Sequence, residues 1–204
     1  MTRQEDGDRS GASARGSWRR RVDAAWIPPL RAFKMARVFA LGHLGIGKKI
    51  AARPYRRFSA LEKRAFFLGA LLPDLIDKPL FYIPFWITGR RGAAAGILSG
   101  THLFAHTGLF LLALVVAARI TRSLPARAAA IGVATHFALD VVGLSMGMGT
   151  LLWPLFGWHF PTYPFSNLGQ HLSTILNPVT LTGELLGAAI LWWDYRKARR
   201  QPGA

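Results

Sequence analysis

Three pairs of metal-competent side chains lie in apolar surroundings. Asp74 and Asp77 stand in Gly69-Ala70-Leu71-Leu72-Pro73-Asp74-Leu75-Ile76-Asp77, His102 and His106 in Thr101-His102-Leu103-Phe104-Ala105-His106-Thr107, and His136 and Asp140 in Thr135-His136-Phe137-Ala138-Leu139-Asp140. His43 precedes them, just after the short apolar run Val38-Phe39-Ala40-Leu41. Within each pair the members are three or four residues apart, which on a helix puts them on one face, one turn apart. Two donors on one face can grip the same ion or two neighbouring ions. The second and third pairs echo each other, since each opens on Thr-His and ends four residues later on a second donor.

Burial cost makes the pattern informative. A charged side chain near the centre of a bilayer costs ~2.5–3.5 kcal/mol on insertion scales. Carboxylates and imidazoles so placed need partners, and a divalent cation is one that serves both. Mixed His/Asp ligation suits Zn, Mn or Fe better than Ca, and so many carboxylates allow two ions with a bridging Asp. Simpler roles compete residue by residue. A lone buried histidine is usually packed and hydrogen-bonded, Asp74 after Pro73 would cap a helix starting there, and Asp77 beside Lys78 would form a solvated pair. Cysteine is absent, so thiolate nucleophiles, disulfides and Cys-based zinc sites are excluded.

The elements expected to carry these residues are helices. Four longer apolar segments run from about Ala65 to Ile87, Ala93 to Ala118, Ala126 to Trp153 and Val179 to Trp193. Spanning a bilayer takes ~20 apolar residues. The expected fold is therefore all-α, a helical membrane bundle of about four spans, with the first span kinked by Pro73, Pro79 and Pro84. Residues 1–32 read as a disordered basic tail and 33–200 as the helical membrane domain with the His/Asp site.

The net charge of +16 comes from 26 Lys and Arg against 10 Asp and Glu. Most of the basic residues flank the apolar segments, which favours a membrane over a nucleic acid as partner. Lys48, Lys49, Arg53, Arg56, Arg57, Lys63 and Arg64 come before the first segment, Arg119, Arg122 and Arg127 between the second and third, and Arg196, Lys197, Arg199 and Arg200 after the fourth. This predicts a multi-pass protein of the inner, cytoplasmic membrane with both termini cytoplasmic. His159 and His171 read as loop histidines, and Glu184 is the lone acid of the fourth segment.

At these residues the chain resembles the membrane-bound metal-dependent hydrolases, some described as LexA-binding inner-membrane hydrolases. The resemblance runs in order from His43 through Gly69–Asp74 with Asp77, Ala105-His106-Thr107 and His136 with Asp140 to the Trp153-Pro154 turn. The chain departs from that pattern in the spacing of Asp74 and Asp77 and in the sequence around His102. The resemblance implies a hydrolase with a metal-activated water, taking an ester or a lipid-like phosphoester. Its expected ligands are His43, Asp74, Asp77, His102, His106, His136 and Asp140, with Asp74 and Asp140 as the catalytic carboxylates. Three other readings compete: a non-catalytic haem or quinone protein using His106 and His136, a small metal or proton transporter, and a membrane-tethered protein whose basic N-terminal region binds acidic lipid, DNA or a regulator protein.

Overall fold

The computed structural model describes residues 40–90, 92–98, 100–143, 145–161 and 176–200. The chain divides into Met1–Lys34 and Met35–Ala204, and every described residue belongs to the second unit. The expected N-terminal tail and His171 lie outside the described residues.

The described residues are all-helical, with no strand among them. The α-helices are α1 (Ala40–Ile50), α2 (Ala52–Arg56), α3 (Ala60–Thr88), α4 (Gly108–Ile120), α5 (Leu124–Val142), α6 (Met148–Leu151) and α7 (Pro178–Arg200). Between α3 and α4 the chain forms a 3-10 segment at Gly92–Leu98 and a 3-10 turn at Phe104–His106. Local chemistry sets several boundaries. Ser59 and Glu62 form a reciprocal capping box at the start of α3, which ends on Gly89 in the left-handed conformation with φ 65°. Thr107 accepts from the Phe110 amide to cap α4, and Ser123 accepts from Ala126 to cap α5.

The prolines do not break α3. Pro73, Pro79 and Pro84 all sit inside a continuous 29-residue helix. Each removes one backbone hydrogen bond, and the packing of α3 along α5 offsets that loss. Asp74 therefore lies in mid-helix and caps nothing.

Glycine lets the main helices touch backbone to backbone. A Cβ on Gly69 would lie 2.1 Å from the Ala129 carbonyl oxygen, and one on Gly132 would lie 2.2 Å from that of Phe66. The α1–α7 crossing has the same construction, with Gly45 against Gly187. Three small cores surround the α3–α5 contact, centred on Phe66 with Ala128, on Phe81 with Leu103 and Phe160, and on Val133 with Phe137 and Met146. Full burial of a side chain such as Phe66 stabilises the fold by ~1.5–3 kcal/mol.

The described helices give no support to the four expected spans. No helix among the described residues is long and apolar enough to cross a membrane. The physical reasons differ by segment. α3 carries Asp74, Asp77 and Lys78 in its interior, and the 93–118 stretch is divided among 3-10 turns, a loop and the 13-residue α4. The 126–153 stretch stops being α5 at Val142, and α7 contains Glu184 and Asp194.

Candidate metal centre

Four parts of the chain converge on the interior beside the α3–α5 contact. α1 supplies His43, α3 supplies Asp74 and Asp77, the 100–107 segment supplies His102 and His106, and α5 supplies His136 and Asp140. His43, Asp77, His106, His136 and Asp140 are buried, whereas Asp74 and His102 are partly exposed. The His102–His106 pair is not on a helix, contrary to what its spacing suggested. His106 ends a 3-10 turn, yet its ring still meets that of His102 edge-on at 4.4 Å between centroids.

Asp77 builds this turn. Its Oδ2 accepts from the amides of Leu103 at 2.7 Å and His106 at 3.1 Å, and its Oδ1 accepts from Ala105 at 3.0 Å. Oδ2 also accepts from His106 Nδ1 at 2.7 Å. Both oxygens are engaged, so Asp77 positions His106 and is not among the groups that can hold an ion. The geometry favours this positioning role over the expected ligand role, and the alternative of a solvated pair with Lys78 does not form. Lys78 pairs instead with Asp74, one turn earlier.

The outward bonds fix which ring atoms face inward. His106 Nδ1 is committed to Asp77, and His136 Nδ1 donates to the Ala70 carbonyl at 2.8 Å. The two Nε2 atoms then face each other at 3.2 Å. Asp140 Oδ2 lies 3.2 Å from His136 Nε2, 3.6 Å from His106 Nε2 and 3.7 Å from His102 Nε2, and it is buried with no hydrogen-bond donor. Asp140 Oδ1 accepts from Ser145 Oγ at 2.8 Å and lies 3.6 Å from His43 Nε2. Asp74 Oδ1 is 3.6 Å from His106 Nε2. The ring of His43 stacks on His136 at 3.9 Å. The interior is thus a set of acceptor atoms directed at one another, which is stable only around a positive charge, either a proton or a metal ion.

The groups divide into three sets that can hold a metal ion: His43, His136 and Asp140; Asp74, His106 and His136; and His102, His106 and Asp140. In each, the donor atoms lie within 4.8 Å of one another.

The protonation pattern reflects the same demand. Burial alone would lower the His106 imidazole, but the hydrogen-bonded carboxylates of Asp74 and Asp77 outweigh it and push its pKa up to about 9. In the metal-free chain His106 therefore holds the positive charge. Burial and the neighbouring His136 push His43 down to about 4, so it stays a neutral donor. Burial would raise the Asp140 carboxyl, but His136 and the other imidazoles hold it well below the usual carboxylate range.

Other expected positions fall elsewhere. His159 is exposed. Glu184 accepts from the Leu41 and Gly42 amides at 3.1 and 2.8 Å and so caps the first turn of α1, the helix that carries His43. Two groups escaped the sequence reading, the Ala70 carbonyl and Ser145, and Lys78 is read there as a partner of Asp77 rather than of Asp74. Only Lys78 had a signal, its position four residues after Asp74 on the same helix. Compared with known proteins, the chain matches no family model, no curated protein and no solved structure.

Proposed function

We propose that this chain is a membrane-associated, metal-dependent hydrolase of ester or phosphoester substrates, of the kind that its His43-to-Pro154 pattern resembles. The observation that carries the metal assignment is the inward convergence of His106 Nε2, His136 Nε2 and Asp140 Oδ2, each with its outward bonding already fixed or, for Asp140 Oδ2, with no donor at all. A nitrogen and oxygen donor set without thiolate suits Zn, Mn or Fe. The two sets that share Asp140 would let His43 and His136 hold one ion and His102 and His106 a second.

When bound, such ions lower the pKa of a water molecule and polarise the bond to be cleaved. The chain's own residues then have distinct tasks. Asp77 and the Ala70 carbonyl orient the two central imidazoles. Asp74, partly exposed and held by Lys78, is the carboxylate placed to take a proton from the attacking water. Exposed apolar side chains along α3 and α7, among them Leu68, Leu75, Ile83, Trp86, Leu185 and Trp192, together with the basic α7 end, support a location at the inner face of the cytoplasmic membrane. A haem reading is less well supported, because the facing Nε2 atoms leave no space for a porphyrin between them.

Elemental analysis of the gently extracted protein tests the assignment. One or two equivalents of a transition metal or zinc are expected per chain, lost in His136→Ala and Asp140→Ala together with turnover of chromogenic esters or phosphoesters. Metal-free protein that cannot be reloaded overturns the metal site. Full loading without turnover of any substrate overturns the hydrolase and leaves the site.

A further inference from the structure

On the far side of α5 from the metal centre, α4 and α5 enclose a groove of about 1030 Å3. Its lining recurs at helical spacing, with Leu111, Val115 and Arg119 from α4 and Arg127, Ile131 and Ala134 from α5. His136 lies half a turn round α5 from Ala134, so groove and metal centre occupy different faces of one helix. The α4–α5 hairpin sorts the lining by chemistry. Arg119, Arg122 and Arg127 cluster at the connecting turn, while the stretch leading away from it is wholly apolar.

The charge of the lining points to a ligand. No acidic residue lines the groove to neutralise the three guanidinium groups.

We propose that this groove binds an anionic phospholipid, with its phosphate on the arginine cluster and an acyl chain along Val115 and Ile131. Guanidinium forks match phosphate oxygens. A peptide is the poorer occupant, because no Ser, Thr, Asn or Gln lines the trough to pair with its backbone N–H and C=O groups. A lipid chain has no such requirement. The site is independent of the metal centre and of any reaction there.

The test is calorimetric titration of the full chain, in a neutral detergent, with short-chain phosphatidylglycerol, phosphatidylcholine of equal chain length, and glycerol phosphate. The glycerol lipid is expected to bind at one per chain, about tenfold or more tighter than the choline lipid, with glycerol phosphate showing no binding. Arg119→Gln/Arg127→Gln is expected to abolish that preference, and Val115→Trp to block both lipids, each with metal content unchanged. Equal affinity for the two lipids, or an undiminished preference in the double arginine variant, overturns the proposal. Glycerol phosphate binding as tightly as the lipid overturns the acyl part. If Val115→Trp fails to fold, the surface arginine variant still decides the outcome.

Discussion

Replacing Asp77 with Asn isolates the positioning of His106 from ligation. One carboxylate oxygen holds the Leu103 and His106 amides and the His106 ring, and the other holds Ala105. Asparagine can keep one acceptor. With its carbonyl oxygen on the side of the three bonds, its amide group meets the Ala105 N–H donor to donor. An unpaired buried N–H costs ~1–3 kcal/mol, and the remaining bonds lose their charge assistance. Together these destabilise the fold by about 2–5 kcal/mol. The weakened hold on His106 lowers metal affinity by ~10–100-fold. Denaturant unfolding of the metal-free chain reads the first quantity, and competition with a chelator of known affinity reads the second. A variant that unfolds with the wild type and binds metal within about twofold of it would refute the reasoning. A variant that folds normally but loses metal as completely as His136→Ala would make Asp77 a ligand.

Two further expectations follow from packing and from charge. Gly69→Val places side-chain atoms where a Cβ alone would lie 2.1 Å from backbone, so it should destabilise by at least ~3 kcal/mol and reduce metal content with it, measured by unfolding and elemental analysis. The metal-free chain should also respond to pH in two opposite ways, followed by its melting temperature with chelator present. His106 has its pKa raised from 6.5 to about 9, so its contribution is complete below 6.5 and is lost as pH rises through about 9. His43 is lowered from 6.5 to about 4, so stability declines as pH falls from 6.5 towards 4. Metal loading at neutral pH should release the His106 proton and suppress the alkaline loss, and an alkaline limb unchanged by metal contradicts the shared position of proton and ion.

By itself the sequence determined the helical class and the donor types. Regular three- and four-residue spacing of His and Asp in apolar surroundings is a local signal, and it located Asp74, His106, His136 and Asp140 because these groups need partners wherever they are buried. Apolar content also suggested spans, but hydropathy does not record where a helix ends. The 93–118 stretch carries no Lys, Arg, Asp or Glu, yet the carboxylate of Asp77, distant in sequence, gathers its amides into a turn and starts α4 only at Gly108. Tertiary structure alone decided that Asp77 faces the backbone of that turn while Asp74 faces the imidazoles. Both are aspartates on one helix, three residues apart, and their roles differ only in what each side chain meets. The same holds for the Ala70 carbonyl, which has no side-chain signature and orients His136 because Gly69 and Gly132 bring the two backbones into contact.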